Sequence, residues 1–366
     1  MEAVAELPAG SAPWLRAHGQ AVIAAAKRGD LDRVEAQVQQ VTCTLPEFGA
    51  RNAEIVCLSW AANYLIFGGR LRAADDLILM IGDLAGDLSD VDAQAVALIR
   101  QVQAIRASAR GDLGTCLDCF QAALAAFDQA GDLRNACAIR SNMAYVYAEL
   151  GDFQRAESAL RSALAAAERM GLHDVTAQVQ HNLGRVLSLL GQLGEARILE
   201  QKAVESFGRQ GDPRLEGVAH TYLAEIELAA GQPAQAEQEA RTAVALLKVA
   251  PSLRVAATAV LARALLASGQ AGKALDSAQD AFRDLATLGE IEEGEAMVRL
   301  VYAECLAEAG ALPEARAVIV AARERLMTRA TCIAEETWRL RFLRDVPSNA
   351  RTLALAVQWS GAASAA

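Results

Sequence analysis

The chain has 366 residues, 53% of them hydrophobic but only 5% aromatic, with 8 prolines, a balance that favours helix over strand. Its 45 Asp and Glu against 35 Lys and Arg leave a net charge of -10, a field that repels polyphosphate backbones and argues against nucleic acid as a direct partner. Charged or amide residues interrupt every apolar stretch, and the acidic opening MEAVAELPAG fits no secretory or transit signal, so a soluble, cytoplasmic protein without membrane contact is expected.

Residues 1–11 read as a disordered N-terminus. From there, glycines recur at Gly29, Gly69, Gly111, Gly151, Gly191, Gly231, Gly269 and Gly310, in steps of 40, 42, 40, 40, 40, 38 and 41 residues. Such regularity marks a stacked repeat, so length counts repeats here, not globular domains. Each glycine is placed to end one helix in a left-handed cap, with Asp30, Asp112 and Asp152 following as candidate N-caps of the next. Gly131, Gly171 and Gly211, again 40 apart, close one helical pair and open the next.

Small residues keep time with the glycines. Seven before each stand Ala62, Ala104, Ala144, Gly184, Ala224, Ala262 and Ala303; five after stand Ala74, Cys116, Ala156, Ala196, Ala236, Ala274 and Ala315. Twelve after come Ile81, Ala123, Ala163, Ala203, Ala243, Ala281 and Ala322. One small residue on the first helix and two on the second, a heptad apart, let the backbones nest. Residues 12–44 form a degenerate N-terminal capping repeat in which Val22, Val34 and Val41 replace the small triad. Residues 45–330 hold about seven repeats. Residues 331–360 are expected to make C-terminal capping helices, with Trp338, Phe342 and Trp359 over the last repeat's open edge, and 361–366 to fray.

The block Asn142-Met143-Ala144 through Tyr147, Gly151 and Ala156 to Ala163, echoed by Asn182-Leu183-Gly184 through Gly191 and Ala196 to Ala203, resembles the tetratricopeptide repeat. The likeness runs over roughly 52–327. It departs in its period of about 40, against 34 for the commonest form, and in Arg140 and Gln180 where an aromatic is usual. The longer variety is similar to helical regions of bacterial signalling regulators of the MalT-like group and of kinesin light chains. The resemblance implies an all-α fold: a right-handed α-α superhelix of about eight hairpins plus C-terminal capping helices, with the first helix of each repeat lining a concave groove.

That orientation, taken from the resemblance, turns Asn63, Ser141, Asn142, Tyr145, His181, Asn182, Arg185, Tyr222, Glu225 and Arg263 toward the groove as partner-binding candidates. Ser59, Trp60, Gln101, Val102, Ile105, Thr221 and Glu304 share their register. Asn142 and Asn182 are the sharpest pair. A carboxamide both donates and accepts, so a ladder of them can clamp an extended peptide backbone; equally, each can bond a neighbouring helix and merely fix packing. Arg185 and Arg263 can pair with an acidic partner group or stand as solvated charges on the wall.

Seven cysteines lack framework spacing and read as mostly buried, reduced thiols; Cys116-x-x-Cys119 has no second pair to complete a metal site. His181 and His220, 39 apart, are expected to face the same groove without an assembled nucleophile. No phosphate loop appears, and Glu292-Glu293 and Glu335-Glu336 read as solvated helix faces. No active site, cofactor or metal is expected. The leading function is a non-enzymatic interaction module that takes an extended peptide or helix of a partner protein. The alternative is a sensory domain that binds a small molecule or signalling peptide and relays it to an ATPase, kinase or transcription partner. Homo-oligomers through the solenoid ends, near Trp14 and Trp359, are a third possibility.

Overall fold

A computed structural model of the protein describes residues 6–361 except Glu290 and Glu292. It is all-α. Eight hairpins follow one another: α1 (Ala12–Lys27) with α2 (Leu31–Thr42), α3 (Arg51–Phe67) with α4 (Leu71–Ala85), α5 (Ala93–Arg110) with α6 (Leu113–Ala130), and α7 (Leu133–Glu149) with α8 (Phe153–Arg169). Then come α9 (His173–Leu189) with α10 (Leu193–Gln210), α11 (Pro213–Ala229) with α12 (Pro233–Leu246), α13 (Pro251–Ala267) with α14 (Ala271–Leu288), and α15 (Glu295–Glu308) with α16 (Leu312–Thr331). Helices α17 (Glu336–Arg344) and α18 (Pro347–Gly361) close the chain.

The repeat code operates as read. All eight turn glycines hold φ between +72° and +81°, a conformation open at low cost only to glycine. Asp30 and Asp112 cap through Arg33 and Thr115 N–H groups. Asp152 does not cap its helix; its carboxylate pairs instead with Arg341 at 2.6 Å. Every small-triad residue is buried, most of them completely, because paired backbones approach too closely for anything longer. Enlarging one would overpack the layer by about 1–3 kcal/mol. Val22, Val34 and Val41 occupy the same fully buried places in the first hairpin.

The superhelix then closes on itself, which periodicity did not announce. Ser252 of α13 donates to the Phe67 carbonyl of α3 at 3.1 Å, and Arg214 of α11 lies 4.7 Å over the Phe67 ring. A Cβ added at Gly29 would stand 2.6 Å from Val249, one at Gly111 2.5 Å from the Arg329 Nε, and one at Gly151 2.9 Å from the Arg341 carbonyl. Turns of the early hairpins therefore abut the late helices.

Two expectations change. Trp338 does not cover the last repeat; it meets Tyr147 at 6.1 Å, with Arg155 lying over both rings, so α17 crosses the α7–α8 turn. Trp359 does pack on the last hairpin with Leu300, Ala303 and Ile319. Trp14 is buried against His18, 4.0 Å between ring centroids, and presents no free aromatic face for self-association. Of the seven cysteines four are buried, Cys119 is half-buried, and Cys43 and Cys332 are exposed. The tail 362–366 and the first five residues lie outside the described residues.

Candidate functional site

Closure curls the concave face around an inner space that stays partly open to solvent. A cavity of about 870 Å³ is lined from α1 to α13 by, among others, Trp60, Asn63, Gln101, Ile105, Asn142, Tyr145, Gln178, His181, Asn182 and Tyr222. A second space of about 510 Å³ continues toward the C-terminal helices and takes in Glu149, Arg185, Tyr222, Glu225, Arg263 and Glu304. Nine of the ten sequence-derived candidates line one space or both. The exception is Ser141, fully buried beside the cavity, where its hydroxyl accepts a 3.0 Å hydrogen bond from the Asn182 amide. Ser59 is likewise sealed in the helix layers.

The carboxamides divide into two kinds. Asn182 spends one donor on Ser141 and still faces the cavity, whereas Asn142 is half-buried on the cavity wall. Asn63 is only 1% exposed, yet neither its amide nitrogen nor its oxygen meets a hydrogen-bond partner among the described residues. A buried amide in that state costs roughly 1–3 kcal/mol.

Charge concentrates where the two spaces join. Arg185 pairs with Glu149 and lies over the rings of Tyr145 and Tyr222, 4.9 and 5.3 Å from their centroids. Both phenols donate to one oxygen, Glu293 Oε2, at 2.9 and 2.8 Å. Burial first, then the carboxylates of Glu149 and Glu293, push both phenol pKa values well above the ordinary 10.0, so they remain donors. Glu225 pairs with Arg263 at 3.3 Å; burial lifts its carboxyl above the usual range despite that cation. Both arginines are thus engaged by the chain's own carboxylates. Glu293 is no solvated helix face: it sits in the α14–α15 connection and is bonded to two tyrosines, while Glu292 lies outside the described residues.

His181 stacks on Tyr222, 4.6 Å apart and 7° from parallel, while its Nδ1 lies 3.0 Å from a fully buried Glu200. His220 does not share the cavity; it turns to Glu239 of α12 at 2.6 Å. The two His–Glu pairs have the same 19-residue spacing and recur 39 residues apart, a signal the sequence carried and the reading of isolated histidines missed. Gly184 has a local cause as well. A Cβ there would stand 2.9 Å from Glu200 Cγ and Oε1, so the acid occupies the room that alanine takes in neighbouring repeats. Nothing in the sequence marked Glu293. Among the described residues no three His, Cys, Asp or Glu side chains converge to hold a metal ion, and no helix is long and apolar enough to cross a membrane.

This is an α-hairpin repeat scaffold with an amide-rich inner wall. Family models described as tetratricopeptide repeat match residues 103–169 and 135–208, and again 217–242 and 255–280. These residues of the chain carry tetratricopeptide repeats. No curated protein matches the sequence. Among solved structures, a Rap protein complexed with competence and sporulation factor superposes with a TM-score of 0.63 at 14% identity, covering 96% of this chain and 98% of that one. NprR in complex with its cognate peptide NprX gives 0.53 at 13% identity, over 78% and 82%. The apo form of the quorum sensor NprR from B. thuringiensis gives 0.51 at 15%, over 94% and 98%. At these identities the likeness is one of fold.

Proposed function

We propose that this protein is a non-catalytic receptor that captures a short extended peptide within its closed superhelix, the peptide serving as a signal. The observation that carries it is the convergence of Asn63, Gln101, Asn142, Gln178 and Asn182 on one cavity. Five carboxamides from α3, α5, α7 and α9 suit a polymer whose every unit offers one N–H and one C=O. The volume, about 870 Å³, falls in the range of about 300–1,000 Å³ typical of small-ligand sites. It favours a short segment over a partner's long helix. Likeness in fold to NprR, solved with its cognate peptide, and to a Rap protein complexed with competence and sporulation factor, points the same way.

Within that reading Asn142 and Asn182 clamp the backbone, Asn63 supplies a free donor and acceptor, and Tyr145, Tyr222 and His181 give the side chains an aromatic floor. Arg185, Glu225 and Arg263 set charge preference. A response would pass to a separate effector through the closure contacts, since a ligand shifts an equilibrium only by binding one state better.

The test is titration of a short-peptide library into wild type and the double variant Asn142→Ala with Asn182→Ala, with circular dichroism as the folding control. Hits on wild type weakened at least tenfold in the variant support the clamp. Equal affinity in a folded variant rejects it.

A further inference from the structure

Glu293 reaches the cavity from the α14–α15 connection, and its seat is built rather than incidental. Ile291, two residues earlier, is buried with Val255, Leu285 and Val298. Gly294 follows with φ +82°, and a Cβ on it would lie 3.0 Å from that of Ala256. This anchorage aims the intervening carboxylate inward, 148 residues from Tyr145 and 71 from Tyr222.

What receives it is assembled from three successive inner helices: Tyr145 of α7, Arg185 of α9 and Tyr222 of α11. The two phenol hydroxyls converge on a single oxygen, and Tyr222, 5% exposed, is held in place by His181 stacked on its ring. The guanidinium of Arg185 lies over both aromatic rings. Its Nη1 is buried and has no hydrogen-bond partner among the described residues, a donor left over after the pairing with Glu149. Two neutral donors converge on one oxygen, and a buried cation with an unspent N–H lies over both rings without touching that carboxylate, so an anionic oxygen placed here meets two phenols and the field of a nearby guanidinium.

We infer that Tyr145, Arg185 and Tyr222 form a carboxylate-recognition site for the ligand, and that Glu293 fills it as an internal stand-in which a ligand carboxylate displaces. The inference rests on the peptide-capture reading for the identity of the ligand, but not for the site itself. A tethered carboxylate competes at high effective concentration, so wild type should respond weakly to small acids. Removing Glu293 should expose the site.

The experiment compares wild type, Glu293→Ala and Glu293→Ala combined with Tyr145→Phe and Tyr222→Phe, by thermal shift and calorimetry with sodium acetate against matched sodium chloride. The expected result is saturable acetate binding to Glu293→Ala at least tenfold tighter than to wild type, lost in the triple variant. Should Glu293→Ala unfold, Glu293→Gln replaces it. That variant keeps the side chain's size, loses its charge, and should show the same order with a smaller gain.

A second arm gives Glu293→Ala acetyl-tetraglycine with a free C-terminal carboxylate, its C-terminal amide, and acetyl-glutamate amide. Preference for the free acid assigns a chain terminus, and preference for the glutamate derivative an acidic side chain. Either supports the site. Acetate responses that are equal in wild type and Glu293→Ala, or that persist in the triple variant, overturn it. Acetate binding with no response to library peptides would leave the carboxylate site standing and reject peptide capture alone.

Discussion

The Ser252 hydroxyl donates to the Phe67 carbonyl across 3.1 Å of space and 185 residues of chain, and this bond defines the closed superhelix. Helix α13 there meets the end of α3, one superhelical turn away. The neighbouring glycine turns test how much closure depends on such seams. Gly29→Ala forces alanine into φ +74° and drives its Cβ to 2.6 Å from Val249. Gly191→Ala meets the same backbone problem at φ +78° but has nothing within 4 Å. Both should lose about 1–2 kcal/mol to left-handed backbone strain, and only Gly29→Ala should also expand. Small-angle scattering and chemical denaturation on the pair check this; identical radii of gyration would mean that the seam does not hold the molecule closed.

How much of this was legible follows from the range of each interaction. Hairpin nesting is local, so Ala144, Ala156 and Ala163 announced themselves by spacing, and the glycines by their conformational demand. The inner-wall residues from Asn63 to Arg263 followed from register once the family's orientation was known. Closure was not legible, because Val249 against Gly29 and Glu293 against Tyr145 depend on small rotations accumulated over several repeats. No residue periodicity encodes that sum. Glu293 was hidden for the same reason: it lies off the helices, in a connection with no repeat register.

Gly184 contradicts the repeat consensus usefully. Alanine at this place in Ala144 and Ala224 suggests that Gly184→Ala would stabilise α9 by up to about 1 kcal/mol of helix propensity. The structure predicts the reverse, because the new methyl meets Glu200 at 2.9 Å inside a sealed layer. Gly184→Ala should therefore be destabilising, and Glu200→Ala should suppress that penalty. A double-mutant cycle by urea denaturation is expected to show coupling of about 0.5–3 kcal/mol; strict additivity would falsify the steric account.

Glu200 also carries a pH signature. Burial comes first and raises its pKa above the ordinary 4.5, and the charge and hydrogen bond of His181, with the charge of Arg185, oppose that without cancelling it. The folded state then holds the proton more tightly than the unfolded chain. The contribution is fully present below about 4.5, and is lost as pH rises through the folded value. Relative to Glu200→Gln, which cannot titrate, wild type should gain stability as the solution is acidified from neutrality toward that point. Denaturation curves for both proteins at matched ionic strength check it, and a wild type that instead loses ground on acidification would refute the assignment.

Asn63 separates binding from folding. Its amide is 1% exposed with both polar atoms unpartnered among the described residues, so the fold gains nothing from its polarity and bears the desolvation cost, roughly 1–3 kcal/mol. Alanine is also the better helix former by up to about 0.7 kcal/mol. Against this stands the packing lost with the carboxamide volume. Asn63→Ala should thus be at least as stable as wild type while binding captured peptides more weakly, by about tenfold for a lost hydrogen-bonded pair near 1.4 kcal/mol. A residue retained purely for packing behaves the opposite way, costing stability and leaving affinity alone. Parallel denaturation and peptide titration of this one variant distinguish the two.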